Sequence, residues 1–209
     1  MAAADAGRAA REELARRAAR LMLEQPGLDV ETALRKAPGR GLADHGGPPP
    51  GRGLVHRHLE AMLQELLGEA AFEAGRLGRL RAILEVLDLL DYLAAPNGID
   101  VAGRTARGYL VGPVLVFGRL YEGRALEPLA GELEANGIEE VRCLTAHTRH
   151  GPLPRLLFDS DGIRFSLTHC PRMTHADRER DLFTGKPIPV VSLDALRKLV
   201  EEGFSRGRP

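Results

Sequence analysis

The sequence predicts a mixed α/β (α+β) protein in which an N-terminal helical region leads into a small mixed sheet backed by helices. Three observations predict it. Apolar residues recur at helical spacing through the first half of the chain, strand-like apolar runs begin only at Tyr109, and from there strand and helix patterns interleave.

Each element has its own signal. Leu14, Ala18, Leu21 and Met22 follow helical spacing between residues 10 and 24, and Gln25-Pro26-Gly27 supplies a stop. Asp29 is placed to cap a second helix over Val30 to Lys36, which Pro38-Gly39 ends. This segment, 1–38, reads as an N-terminal helical unit. The stretch 39–53, with GLADHGGPPPGRG, is too rich in Gly and Pro for a packed element and reads as a linker. The remainder, 54–204, reads as a helical connector and α/β core. Leu59, Met62, Leu63, Leu66 and Leu67 form one helical stripe that Gly68 closes. From Arg76 to Leu93 the apolar residues cover more than one face, which predicts a central helix, ended by Pro96-Asn97-Gly98.

Strand signals follow. YLVGPVLVF at 109–117 is an apolar strand interrupted by Gly112-Pro113, a pair that marks a rim or bulge where backbone or ligand comes close. Leu126, Leu129, Ala130 and Leu133 make an amphipathic helix with Asn136-Gly137 as a left-handed cap. Val141 to His147 is a strand, and Leu156 to Phe158 with Ile163 to His169 flanks the turn Asp159-Ser160-Asp161-Gly162 as a hairpin. Ser192 caps a last helix carrying Leu193, Leu196, Leu199 and Val200.

Composition bounds the function. The 209 residues are 44% apolar and 28% charged, with 29 basic against 29 acidic side chains, so no global field argues for nucleic acid or an anionic membrane. Two cysteines, Cys143 and Cys170, are too few for a disulfide framework. No apolar run approaches the roughly 18 residues of a membrane span, and the start lacks a secretory pattern. A cytoplasmic protein with no membrane partner is the expectation.

The run ARRAARLMLEQPGLDVETALRKA, the strand YLVGPVL, the hairpin LLFDSDGIRFSL and the tail TGKPIPVVSLDALRKLV together resemble an uncharacterised bacterial nucleotidyltransferase-like family. The resemblance implies a degenerate polymerase-beta-type core: a first strand with a glycine at its end, a following helix and a return through antiparallel strands. Active members of that superfamily carry Gly-Ser after the first strand, then an Asp-x-Asp or Asp-x-Glu pair and a third carboxylate. Two magnesium ions roughly 3.5–4 Å apart need such clustered acids. Here Gly112 takes the glycine position and is the candidate for nucleotide contact, but Pro113 replaces the serine and the carboxylate pair is missing. The remaining acids are Glu122 and Glu127, poorly spaced for two ligands on one strand face, and Asp159 with Asp161, whose setting is that of a turn. The resemblance therefore implies a non-catalytic or regulatory protein binding a nucleotide or nucleic acid, with no cofactor. A divergent magnesium-dependent nucleotidyltransferase using those four acids is the alternative.

A zinc-binding protein is a further alternative. Cys143, His147 and His150 lie near one another in sequence, as do His169, Cys170 and His175, and four such ligands would satisfy zinc. Their spacing matches no strong zinc template, which favours buried cysteines and surface histidines. Arg8, Arg11, Arg16, Arg17 and Arg20 crowd the first helix and are the candidate contacts to nucleic acid, although Glu12 with Arg16 and Glu13 with Arg17 are placed as i,i+4 pairs. Thr184-Gly185-Lys186-Pro187 lacks the spacing of a phosphate loop and reads as a turn. Arg172, Arg178 and Arg180 are candidates for an anion pocket near the sheet end.

Overall fold

The computed structural model describes residues 2–37, 48–96, 98–108, 110–111, 114–122, 124–170 and 175–206. In chain order the helices are α1 (Ala2–Glu24), α2 (Val30–Lys36), α3 (Arg52–Leu67) and α4 (Glu69–Ala94). There follow β1 (Gly98–Ala102), a 3-10 turn (Thr105–Arg107), β2 (Val114–Tyr121), α5 (Leu126–Ala135), β3 (Arg142–Thr148), β4 (Gly151–Ser160), β5 (Ile163–His169), the short α6 (His175–Arg178), β6 (Val190–Ser192) and α7 (Leu193–Arg206). The mixed class expected from the sequence is the class observed. No helix among the described residues is long and apolar enough to cross a membrane.

Two compact units divide the chain, Met1–Gly75 with Val111–Pro113, and Arg76–Leu110 with Val114–Pro209. Of the linker expected at 39–53, residues 39–47 lie outside the described ones, and Arg52 and Gly53 already belong to α3. In the first unit Asp29 caps α2 as expected, its carboxylate accepting from the Thr32 amide at 2.9 Å. Ala15, Ala18, Ala19 and Met22 of α1 pack with Val30 and Ala33 of α2, Val55 and Leu59 of α3, Phe72 and Val111. Small alanines let α1 and α3 approach closely. The stripe of α3 joins this core rather than the sheet, and it fades toward the end of the helix, where Leu66 and Leu67 are exposed.

The second unit is built on one six-stranded sheet of order β3-β4-β5-β2-β1-β6. β2 and β5 run parallel, and the other neighbours are antiparallel. Helices cover one face: Leu80, Ile83, Leu87 and Leu90 of α4, Leu126, Leu129 and Leu133 of α5, and Leu193, Leu196 and Val200 of α7 pack onto Ile99, Val116, Leu156, Phe165 and Leu167. Inside this core Phe158 and Phe165 stack with ring centroids 5.1 Å apart. Local signals end the elements where the sequence places them. Ile138 N–H bonds Leu133 C=O and Gly137 N–H bonds Glu134 C=O, which closes α5 as a Schellman motif at Asn136-Gly137. Asp161 and Gly162, with φ of 50° and 71°, form the two-residue turn of the β4–β5 hairpin. Ser192 Oγ accepts from the Ala195 amide at 3.2 Å and caps α7.

Three strand expectations need correction. The strand expected at 109–117 is β2, shifted to Val114–Tyr121, with Leu110 and Val111 outside it and Tyr109, Gly112 and Pro113 outside the described residues. Gly118-Arg119 looks like a strand end in sequence, yet pairing with β1 and β5 on either side carries the strand through it. β1 and β6 were not expected. Asp100 interrupts a short apolar run in β1, and pairing to β2 and β6 is what makes it a strand. β4 also begins earlier than its apolar run, because Pro152 and Pro154 lie where β3 is its paired neighbour and β5 has not yet joined.

Gly118 sits beside Leu167 in the parallel pair, and a Cβ there would collide with the buried Leu167 Cδ2. Gly118→Ala is expected to lower unfolding free energy by about 1–3 kcal/mol, read from the denaturant midpoint at unchanged slope.

Candidate functional site

The second face of the sheet carries the polar chemistry. Strand alternation that sends Val114, Val116 and Leu120 to the helices sends Leu115, Phe117, Arg119 and Tyr121 the other way. The register then sets side chains of neighbouring strands level. Asp100 of β1, Arg119 of β2, Thr168 of β5 and Arg155 of β4 form one row, and Ala102, Phe117, Ser166 and Leu157 form the next.

A strap of residues 177–189 folds over this face. Its chain doubles back through an Arg180–Pro187 bridge, with Asp181 N–H bonding Lys186 C=O and Ile188 N–H bonding Glu179 C=O. Asp181 builds the tip, where its carboxylate accepts from the amides of Phe183 and Thr184 and the Thr184 hydroxyl at 2.6–3.1 Å. Burial pushes the Asp181 carboxyl upward, but these hydrogen bonds, with the nearby Arg119 charge, hold it below its ordinary value. Thr184-Gly185-Lys186-Pro187 is thus a turn, with Gly185 at φ 69°.

Arg119 ties the strap to the sheet. It is 3% exposed, and its two terminal nitrogens donate to the carbonyls of Arg178 and Arg180 at 2.5 and 2.7 Å. Arg178 in turn lies over the Tyr121 ring, 3.9 Å from its centroid, and Tyr121, Cys170 and Leu182 make a small buried cluster. Burial, reinforced by the Asp100 carboxylate, raises the Tyr121 phenol above its usual range. Burial also pushes the Cys170 thiol up to about 11, with Arg119 opposing and Asp100 assisting.

Between sheet and strap lies a cavity of about 180 Å³, lined by apolar groups including Ala102, Phe117, Leu182 and Phe183, and by Arg119, Arg155, Ser166, Thr168 and Asp181. Arg155 Nε donates to Ser166 Oγ at 2.6 Å, and its guanidinium carbon is 6.0 Å from the centroid of the Phe183 ring. Its terminal nitrogens make no hydrogen bond or ion pair among the described residues. Burial without a countercharge disfavours the ionised form and lowers the Arg155 pKa.

The residues singled out in the sequence lie elsewhere. Asp159 pairs with Arg164 at 3.0 Å on the exposed hairpin end, and Asp161 forms the turn. Glu122 follows β2, where its carbonyl contacts His169 Nε2 at 3.1 Å, and Glu127 lies in the first turn of α5. None of the four lines the cavity. Gly112 is outside the described residues. Cys143 is exposed on the edge strand β3, against the expectation of a buried cysteine; partial burial and the acids Glu127 and Glu134 raise its pKa. His147 shares that strand, and His150 Nε2 is 4.0 Å from Asp177. His175 begins α6. Adjacent His169 and Cys170 point apart, Cys170 into the cluster under the strap. Among the described residues no three His, Cys, Asp or Glu side chains form a group that could hold a metal ion.

On α1, Glu13 pairs with both Arg16 and Arg17, while Glu12 turns to His58 at 2.8 Å instead of Arg16. Of the arginines proposed for an anion pocket, Arg178 and Arg180 are in the strap, where Arg180 Nη1 donates to the Gly185 carbonyl at 3.1 Å, and Arg172 is outside the described residues. Arg119, Arg155, Ser166 and Thr168 were missed. The available signal was polar residues at every second position of otherwise apolar strands, as in Ser166-Leu167-Thr168.

Compared with known proteins, the chain matches no family model and no curated relative.

Two outcomes follow from the strap and its anchors. Arg119→Met leaves two strap carbonyls without their donor and is expected to cost about 2–3 kcal/mol. Limited proteolysis should then cut between Arg178 and Lys186 faster than in the wild type. The second outcome is alkaline. The Cys170 thiol is raised from 9.0 to about 11 in the folded state, so its contribution is complete below pH 9.0 and is lost as pH rises through about 11. Tyr121, also raised, acts in the same direction at still higher pH. Denaturant titrations from pH 8 upward should show falling stability, with a shallower fall in the Cys170→Ala, Tyr121→Phe double variant.

Proposed function

We propose that this chain is a non-catalytic binding protein whose second unit holds a small organic ligand between the open sheet face and the strap 177–189. The observation that carries the reading is the cavity. It places a guanidinium whose terminal nitrogens have no hydrogen-bond or ion-pair partner among the described residues, two strand hydroxyls and two phenyl rings around about 180 Å³ on the sheet. Convergent polar groups on apolar walls are the usual makeup of a small-molecule site. At that volume, below the roughly 300–1,000 Å³ of drug-sized sites, the ligand is a single ring or a short chain rather than a whole nucleoside triphosphate.

A degenerate nucleotidyltransferase-like ancestry is part of this proposal. Its support is the resemblance in sequence and the path of β2, α5 and the antiparallel return β3-β4-β5, which ends parallel to β2. The dispersal of Asp159, Asp161, Glu122 and Glu127 away from the cavity supports a binding role over two-metal transfer. The α1 arginines do not carry a second reading, because Glu13 pairs with two of them.

Ligand-observed NMR with small ring compounds, neutral and charged, tests the pocket. Binding is expected for the wild type and is expected to vanish in Ala102→Leu, whose side chain enters the cavity, while its circular dichroism stays native. A flat wild-type response overturns the reading. Label transfer from nucleoside triphosphates with magnesium or manganese, abolished by Asp159→Asn and Asp161→Asn, would replace it with the divergent enzyme.

A further inference from the structure

Resting on the binding role just proposed, we infer that the ligand is an organic monocarboxylate with a flat apolar body, its carboxylate held by the Arg155 fork. Four features of the cavity specify this class.

The first is the unmet charge. Arg155 is held by one bond, Nε to Ser166 Oγ at 2.6 Å, which fixes the side chain and leaves both terminal amino groups for a ligand. A guanidinium offers two parallel N–H donors at the spacing of a carboxylate, so the fork is complementary to that group. No acidic side chain forms an ion pair with it among the described residues, although burial disfavours its charge.

The second is the sign and number of charges nearby. Arg119 also lines the cavity, but its terminal nitrogens are taken by the carbonyls of Arg178 and Arg180. Asp100 lies level with Arg119 across the strands, and Asp181 is close enough for Arg119 to lower its pKa. Asp100 and Asp181 match Arg119 and Arg155 in number, but neither forms an ion pair with Arg155 among the described residues. A single ligand charge therefore meets Arg155 locally, whereas the second charge of a phosphate monoester would approach Asp181 on the same cavity wall.

The third is the lining. Phe117 and Phe183 are 39% and 48% exposed, large values for aromatic side chains that border a cavity, and a ring or planar chain laid against them would cover both. The fourth is size: about 180 Å³ is room for one ring with its carboxylate.

Titration calorimetry with benzoate, benzamide and phenyl phosphate at pH 8 tests the inference on the full chain. Benzoate is expected to bind at least tenfold more tightly than benzamide, which has the same shape without the charge, and no more weakly than phenyl phosphate. Arg155→Met is expected to bring benzoate down to the benzamide level while leaving benzamide unchanged. Arg155→Lys, which keeps the charge and loses the fork, is expected to fall between the two and serves if the Met variant does not fold. Equal binding of benzoate and benzamide, or benzoate binding indifferent to both Arg155 variants, overturns the carboxylate while leaving a neutral-ligand pocket standing. Phenyl phosphate binding tenfold tighter than benzoate overturns the monoanion. Failure of all three probes, together with a flat NMR response to the wider ring set, removes the pocket and the inference with it.

Discussion

The second unit depends on one buried guanidinium. Arg119 stands in the middle of the central strand β2, on the face the helices do not cover, and its two terminal nitrogens bind the carbonyls of Arg178 and Arg180. Those bonds hold a segment with little secondary structure of its own against the sheet. Desolvating a guanidinium is expensive unless its donors are satisfied and a countercharge is near. Here the carbonyls of Arg178 and Arg180 take both terminal nitrogens, and Asp100 stands directly opposite in register. The Tyr121–Arg178 stack and the Leu182–Cys170 contacts extend the same attachment.

Once the strap is held, the cavity follows from geometry. The sheet provides a floor whose polar residues are spaced by the strand repeat, and the strap provides a wall through Leu182 and Phe183. Arg119 and Arg155 lie in the same row of side chains, yet they do different work. Both terminal nitrogens of Arg119 bind carbonyls of the protein. Arg155 is positioned by Ser166 and left with donors to spare. That asymmetry separates a structural arginine from a binding one, and it arises from which carbonyls the strap brings within reach.

The legible parts of this chain were those whose cause is local. Asp29 caps α2 through a bond to an amide three residues away, Asn136-Gly137 ends α5 because glycine adopts positive φ without strain, and Asp161-Gly162 turns the hairpin for a related reason. Helical stripes were legible too, though Leu66 and Leu67 show a stripe running past the last contact that could bury it. The strands β1 and β6 were not legible, since their few residues gain strand character from partners distant in sequence. The site was legible only as a pattern without meaning. Arg119, Thr168 and Arg155 come from three strands, with Ser166 in the next row, and nothing in their separate surroundings says that they lie side by side.

By itself the sequence determined the fold class, most of the helices, the β4–β5 hairpin and the absence of a closely spaced acidic pair after the apolar run at 109–117, because periodicity, capping and turn chemistry act within a few residues. Tertiary structure alone decided that β2 continues through Gly118-Arg119, that Asp159 spends its charge on Arg164, and that the cavity is lined by Phe117, Gly118 and Arg119 of β2 with residues of its neighbouring strands. The physical reason is register. Strand pairing joins residues far apart in the chain, and a displacement of one position would turn Arg119 and Arg155 away from the strap and into the helix-covered core.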